Sequence, residues 1–273
     1  MIKKTEVRAP STCLFFALLL CAFVSCGQSA KQQQTQAPQP SPPIADSIAQ
    51  ADKLYAQRED LTHVREAIVL LRQVRANDQN NYEAAWRLAR LNYYLGSHTQ
   101  DQSERDKAFH EGIEAGRAAV KLQDNRPEGH FWLGANYGGE AEQSTLAGLA
   151  SIDDIRSEMG AVIRIDEGYQ SGSAHMVLCQ LYLESPKIVG GDPQLALQEC
   201  EKGLKYGQNN SLLRLHLAEA YIANKRPEDA RKQIDQLMQM KPDPDYVPEH
   251  NEAVAQAREL LKTKLQNSGA NQR

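Results

Sequence analysis

The sequence predicts an all-α fold of repeated helix pairs, and three observations support this prediction. The segments HFWLGANY (130–137), HMVLCQLY (175–182) and RLHLAEAY (214–221) share a leucine, a small residue directly after it and a tyrosine three positions later. These spacings place the three side chains on one helical face. A second helical pattern follows the last segment, and no stretch alternates strongly at a period of two. The small residue lets a neighbouring helix approach closely, so we expect antiparallel helical hairpins.

The last copy shows the second helix in full. Ala230 follows the tyrosine of its first helix by nine residues, Ile234 and Leu237 continue the apolar face, and Pro242 ends it. Residues 211–244 therefore resemble the tetratricopeptide repeat, a 34-residue antiparallel helix pair, without a gap. The resemblance implies a tetratricopeptide-like helical-hairpin solenoid, in which we count five helix pairs. A final helix near residues 249–265 is expected to cap the stack.

Three of the five pairs depart from the repeat at the same place. The step from the tyrosine to the first small position of the second helix is nine residues in the last pair. It is longer by about ten, nine and five residues in the second, third and fourth pairs. We expect these residues to form enlarged turns at one edge of the solenoid, where insertions often build a binding face. The insertion of the third pair carries an apolar stripe at helical spacing, which we expect to be buried or to line a cleft. The stripe consists of Leu146, Leu149 and Ile152.

The N-terminus has the features of an export signal. A positively charged start is followed by an apolar run, 13–24, that is too short to span a membrane. The run ends in Ser25-Cys26-Gly27, which resembles the bacterial lipoprotein cleavage motif and implies a lipid on Cys26. Ordinary cleavage nearby, giving a soluble exported protein, is the alternative.

The domain boundaries follow from composition. Residues 1–25 are the predicted signal peptide, and 26–43 form a Gln/Pro-rich tract that cannot bury a core and is expected to be a disordered tether. Residues 44–266 form the repeat domain, and 267–273 a disordered tail. The predicted location is a membrane-anchored lipoprotein facing the periplasm, with contact to the membrane through the lipid anchor only.

The stretch SPKIVGGDPQLAL (185–197) raises the question of a phosphate-binding loop. Such a loop needs Lys-Ser/Thr after its glycines, and this stretch has none. Asp192 is instead suited to an N-cap and the proline after it to the first helical position. Gly190 and Gly191 allow the tight reversal before the helix. We therefore interpret the stretch as the start of a helix.

Cys179 and Cys200 are the two cysteines of the predicted repeat domain. They occupy positions of one helix pair that pack together, and an exported protein permits disulfides. A disulfide and two free buried thiols both remain open at this point.

A binding groove is predicted from repeat geometry, since one stripe of each first helix lines the concave side of a tetratricopeptide stack. The stripe is mostly apolar with a few polar groups, as expected for a groove that binds a protein partner or a small apolar ligand. Packing between helices is the alternative. The stripe consists of Arg87, Leu91, Tyr94, Phe131, Ala135, Met176, Gln180, Leu183, Leu215, Glu219 and Ile222.

Composition and motifs argue against catalysis, cofactors, metal and nucleic acid. The net charge is −4 with no basic patch. The histidines are not at metal-ligand spacing, and no nucleophile elbow or Cys-His arrangement is visible. His130 and His175 occupy equivalent places in two repeats, which favours a role in packing.

A second resemblance covers roughly residues 60–240. The segment GLASIDDIRSEMGAVIRIDEGYQSGSAHMVLCQLY and the following SPKIVGGDPQLALQECEKGL resemble the T-component family of TRAP transporters. These are exported, tetratricopeptide-like lipoproteins of tripartite ATP-independent periplasmic solute uptake. The resemblance implies helices around a hydrophobic cleft, trimers, and partnership with a periplasmic solute-binding subunit.

The sequence thus predicts a non-catalytic, lipid-anchored binding protein, an accessory component of TRAP-type uptake. One alternative is a generic tetratricopeptide scaffold for envelope protein assembly. The other is an enzyme whose site is assembled from distant residues.

Overall fold

The computed structural model describes residues 43–142 and 145–265, with the side chains of residues 143–147 left out. The predictions for the signal peptide, Cys26, the tether up to residue 42 and the C-terminal tail lie outside the described residues. The Leu146 side chain lies outside them as well.

The described residues form eleven α-helices and no strand, which confirms the all-α fold. Ten helices form five antiparallel pairs, and the eleventh packs on the last pair. The pairs are α1 (Ile44–Tyr55) with α2 (Leu61–Asn77), α3 (Tyr82–His98) with α4 (Gln102–Leu122), α5 (Pro127–Ala141) with α6 (Thr145–Ile165), α7 (Tyr169–Glu184) with α8 (Pro193–Leu204), and α9 (Ser211–Ala223) with α10 (Pro227–Gln239). The last helix is α11 (Val247–Leu260), followed by a π-helical turn at Leu261–Leu265.

Short polar side chains mark the starts of five of the described helices. The carboxylate or amide oxygen of an N-cap residue accepts a hydrogen bond from a free backbone N–H of the first turn. Proline opens α5, α8 and α10, where the missing N–H has no helical partner. The capping residues are Asp60 of α2, Asn81 of α3, Asp101 of α4, Asp192 of α8 and Asn210 of α9.

The extra residues of the second and third pairs form longer helices, so the prediction of enlarged turns is wrong there. The α3–α4 connection is only residues 99–101, whereas α4 and α6 have 21 residues each against 13 in α9 and α10. Continuing the helix satisfies backbone hydrogen bonds that a loop would expose. In the fourth pair the extra residues do form an enlarged turn, which is the α7–α8 connection at residues 185–192. This turn contains a short 3-10 helix at Lys187–Val189.

The lengthened helices pack closely because glycines face their neighbours. The buried ring of Phe109 lies against Gly96 and Gly139, and a Cβ on either glycine would overlap it. Gly116 of α4 allows the backbone of α5 to approach, since a Cβ there would lie 2.9 Å from the Cα of Leu133. The second and third helix pairs therefore differ from the last pair in both length and closeness of packing.

Two apolar cores run through the solenoid. The first extends from α1 to the beginning of α7 and contains most of the aromatic residues. The second joins α7, α8, α9, α10 and α11, and includes the fully buried Ala253 and Ala257 of the last helix. Tyr182 packs against both cores.

Cys179 of α7 and Cys200 of α8 are joined by a disulfide in the second core. Their Cα atoms are 5.4 Å apart, and both side chains are fully buried. The bond connects the two helices of one pair. Of the two possibilities that the sequence left open, the structure therefore has the disulfide and not two free thiols.

The Gly112 site gives a test of close packing. Asn136 is fully buried, and its Nδ2 donates to the carbonyl oxygens of Ala89 (3.0 Å) and Trp132 (2.6 Å). A Cβ on Gly112 would overlap the Asn136 side chain. We expect Gly112→Ala to lower the free energy of unfolding by about 2–3 kcal/mol through overpacking and loss of these bonds.

Gly138→Ala is the matched control, because a Cβ at Gly138 meets nothing within 4 Å. It should be neutral or stabilise the helix by up to about 1 kcal/mol. Urea unfolding of both variants measures the difference, and equal effects would contradict the packing argument.

Candidate binding cleft

A cleft with a volume of about 980 Å³ lies along the inner side of the solenoid. The first helices of all five pairs contribute residues to its wall, as does the C-terminal segment 243–256. Since the second helices contribute no lining residue among those described, the cleft belongs to the face that a tetratricopeptide stack turns inward.

Five of the predicted groove residues line this cleft. They are Arg87, Phe131, Ala135, Met176 and Gln180.

The other six predicted groove residues do not line it. Leu91, Tyr94 and Leu215 are buried, so placing them in the groove was wrong. Leu183, Glu219 and Ile222 also lie away from the cleft wall.

The error is a rotation of the helix face. In α5 the lining residues include Phe131 and Ala135, as predicted. In α3, however, Trp86, Arg90 and Tyr93 line the cleft at i, i+4 and i+7. This stripe lies one position before the predicted one, which is a rotation of about 100° around the helix. The sequence contains both stripes, and only packing between repeats selects one.

An aromatic row forms the base of the cleft. The ring centroids of Tyr93 and Trp132 are 5.7 Å apart, those of Phe131 and Trp132 5.0 Å, and those of Phe131 and Tyr169 5.5 Å. These separations are typical of stabilising aromatic pairs. Tyr93, Phe131 and Trp132 line the cleft and are largely covered by their neighbours, so the row forms an apolar base.

Two arginines lie beside this row, and both are paired with Asp52. The Arg90 guanidinium lies over the Tyr55 ring at 3.9 Å, and its Nη2 donates to the Asp52 carboxylate at 2.8 Å. The Nε of Arg87 donates to the same carboxylate at 3.0 Å. The cleft wall is therefore amphipathic, with cations held over aromatic rings.

Glu142 adds a carboxyl group to the wall of the cleft. Burial raises the pKa of Glu142, and the nearby Glu184 carboxylate raises it further. The cleft wall therefore carries a carboxyl group as well as cationic side chains.

The C-terminal segment crosses the cleft and contacts the first repeats. Arg58, in the α1–α2 connection, donates from Nη2 to Glu249 Oε2 at 2.7 Å and to the Asp245 carbonyl oxygen at 2.6 Å. His98 of α3 lies 3.0 Å from Glu252 Oε1. The first contact joins residues that are 191 positions apart in the sequence, and the second joins residues that are 154 positions apart. Pairwise spacing in the sequence carries no signal for such contacts.

The remaining predicted site residues lie away from the cleft wall. Asp192 accepts hydrogen bonds from the backbone of Gln194 and Leu195, and Gly190 has a φ of +98°. Of the stripe in α6, Ile152 is buried and Leu149 is 41% exposed. These two residues lie in the helix itself rather than in a turn.

His130 and His175 form equivalent buried pairs with the second helix of their own repeat. Nδ1 of His130 lies 2.6 Å from Glu158, and Nδ1 of His175 lies 2.7 Å from Glu199. Both pairs connect helices within the stack. No group of acidic, histidine or cysteine side chains in the described part of the chain has an arrangement that could hold a metal ion.

The comparisons with known proteins agree with the repeat fold. A family profile described as Regulator of microtubule dynamics protein 1-3 matches residues 47–148, and a Tetratricopeptide repeat profile matches residues 190–247. A search of the curated proteins finds no significant match.

Several solved structures are similar to the chain, and two of them have a TM-score above 0.5. A thermophilic TPR protein of Thermus thermophilus has 19% identity and a TM-score of 0.58, covering 78% of this chain and 100% of its own. The pilF protein of Pseudomonas aeruginosa has 16% identity and a TM-score of 0.53, covering 83% and 98%.

The chain thus has a tetratricopeptide-like helical solenoid fold, with a tetratricopeptide-repeat match over residues 190–247. Scaffolds of this type generally mediate protein–protein interaction and are generally not catalytic. In the helices that the structure describes, none is long and apolar enough to cross a bilayer.

The contact between His98 and Glu252 gives a pH-dependent prediction. Burial disfavours the charged imidazole, but hydrogen bonds with Glu252 and the Tyr94 carbonyl outweigh it and raise the pKa of His98. The bond from His98 in turn lowers the pKa of Glu252. The pair therefore stabilises the fold fully below the ordinary histidine value of about 6.5 and above the ordinary glutamate value of about 4.3. Its contribution is lost as pH rises through the raised pKa of His98, or falls through the lowered pKa of Glu252.

We expect Glu252→Gln to lower the pKa of His98, measured by NMR titration of its ring proton. His130 is the control, because its pKa is raised chiefly by Glu158 in α6 and should not change. An unchanged His98 titration in the variant would show that the contact is absent in solution.

Proposed function

We propose that the chain is an exported, lipid-anchored binding protein that captures a partner protein in the cleft. The observation that carries this proposal is the amphipathic cleft of about 980 Å³ on the inner side of the solenoid. Aromatic rings and paired cations on one concave surface are well suited to anchor a protein segment.

The particular form proposed follows the resemblance to the T-components of TRAP transporters. The partner is then a periplasmic solute-binding subunit, and the chain is an accessory of solute uptake. The aromatic base of the cleft is also suited to a small apolar ligand, delivered or received by that partner.

A scaffold for envelope protein assembly is the second candidate. The solved structures with the same fold favour it, since that fold generally serves protein–protein contact. The identity of the captured partner separates the two candidates.

Photo-crosslinking from the cleft tests the proposal. A photoreactive amino acid at Gln180, in the cleft wall, should give a covalent adduct with a solute-binding subunit when native membranes are irradiated. Mass spectrometry identifies the adduct. The same substitution at Glu114, an exposed residue of α4, is the control and should give no such adduct.

Adducts at Gln180 with outer-membrane assembly proteins would support the scaffold instead. Equal adducts at both positions, or none at Gln180, would contradict capture in the cleft.

Lipid attachment at Cys26 is tested separately. We expect Cys26→Ser to release the protein from the membrane fraction and to abolish labelling with radioactive palmitate, because the lipid is the proposed attachment. Cys179→Ala/Cys200→Ala is the control and should keep the label. A wild-type chain that carries no label would rule out the lipid anchor.

A further inference from the structure

A compact cluster of cationic and aromatic side chains lies at the N-terminal end of the cleft, where the buried Tyr94 ring supports three residues of the cleft wall. The cluster consists of Tyr55, Arg58, Tyr94 and His98. The imidazole of His98 stacks on the Tyr94 ring at 3.9 Å, and the Tyr94 and Tyr55 rings meet edge to face at 6.0 Å. The Arg58 guanidinium lies over the Tyr55 ring at 4.8 Å. These contacts hold Arg58 and His98 in fixed positions.

The chain's own segment 245–252 occupies this cluster. Glu249 accepts two-pronged hydrogen bonds from Arg58, at 3.1 Å from Nε and 2.7 Å from Nη2. Glu252, one helical turn later, contacts His98. Arg58 is only 4% exposed, so its charge is removed from water and satisfied by the segment. The cluster therefore recognises two carboxylates spaced i and i+3 at the start of a helix.

The segment is attached to the solenoid elsewhere, independently of the cluster. Ala253 and Ala257 of α11 are fully buried in the second core, whereas Tyr55 and Tyr94 belong to the first. On the other side, the Ser211 hydroxyl and the His250 Nδ1 lie 2.8 Å apart, which connects α11 to α9. The hydrogen bonds between the segment and the cluster involve Arg58 and His98 and no residue of the second core, so a different acidic segment can replace them while α11 stays packed on that core.

We propose that the cluster Tyr55, Arg58, Tyr94 and His98 is the recognition site for an acidic helical segment of the partner. That segment carries two carboxylates one turn apart, and the chain's own segment 245–252 competes with it for the site. The inference rests on the proposed capture of a partner in the cleft. It goes beyond that function in two ways: it states the chemistry that the partner must have, and it identifies a competing segment within the chain.

The competitor has a strong advantage from its covalent attachment. A segment tethered in the same chain has an effective concentration on the order of millimolar. A free acidic peptide should therefore bind poorly to the wild-type chain and well to a chain whose own carboxylates are removed.

The test uses a fluorescent synthetic peptide of residues 241–256, KPDPDYVPEHNEAVAQ, and the full chain. We expect the double variant Glu249→Ala/Glu252→Ala to bind the peptide about 10-fold more tightly, or better, than the wild type, measured by fluorescence anisotropy. Glu259→Ala, an exposed change on the same helix, is the matched control and should bind like the wild type. Adding Arg58→Met to the double variant should abolish binding.

Arg58→Met could also affect folding, and a second peptide avoids this. In that peptide both glutamates are replaced by glutamine, so it tests the need for the carboxylates without a further change in the protein. It should not bind the double variant. Equal binding of both peptides, or no binding of either, would overturn the proposal. Concentration-dependent dimers of the wild type that the double variant lacks would also overturn it, in favour of a second copy as the occupant.

Failure of this inference can be distinguished from failure of the proposed function. Failure of the peptide to bind, with adducts still formed from Gln180, would leave capture in the cleft intact and refute only this recognition site. Peptide binding without any adduct at Gln180 would refute the proposed partner and keep the acidic-segment site.

Discussion

The close approach of α3, α4 and α5 is the constraint on which the rest of the structure depends. Asn136 of α5 donates to a carbonyl of α3, and Gly112 of α4 leaves the space that its side chain fills. Phe109 occupies a similar space between two glycines. These positions tolerate no extra atom, so they set the separation and rotation of the helices. The rotation decides which stripe of α3 and α5 faces the cleft.

The lengthened helices change what a tetratricopeptide solenoid can do. Helices of 21 residues extend beyond the 13-residue helices of the last pair and lengthen the scaffold behind the cleft.

In the cleft wall itself, Gln170 and Ser171 have positive φ values, 44° and 57°, where the chain bends into α7. Such conformations cost about 1–3 kcal/mol each for residues other than glycine, so the surrounding packing must hold them.

The two ends of the solenoid are connected in different ways. Along the chain the two cores meet through apolar packing, in which Tyr182 takes part. Across the cleft, Arg58 and His98 meet the acidic face of α11 through hydrogen bonds. Apolar packing is lost only with unfolding, whereas a polar contact can be exchanged for another of the same chemistry. A cleft closed on one side by exchangeable contacts is suited to taking up a partner.

The sequence by itself determined the local elements of this protein, and only the tertiary structure decided the cleft. The helical spacing of apolar and small residues predicted five helix pairs and a final helix, and Asp192 predicted the start of a helix. Both predictions succeeded because each signal lies within a few residues of the helix that it predicts. The sequence also predicted Leu91 as a groove residue, whereas packing buries it and turns Arg90 inward. The contact of Arg58 with Glu249 joins residues 191 positions apart and follows no periodicity. Helix rotation and long-range contacts depend on how small residues and rings fit between repeats, and hydrophobic spacing along one helix does not contain that information.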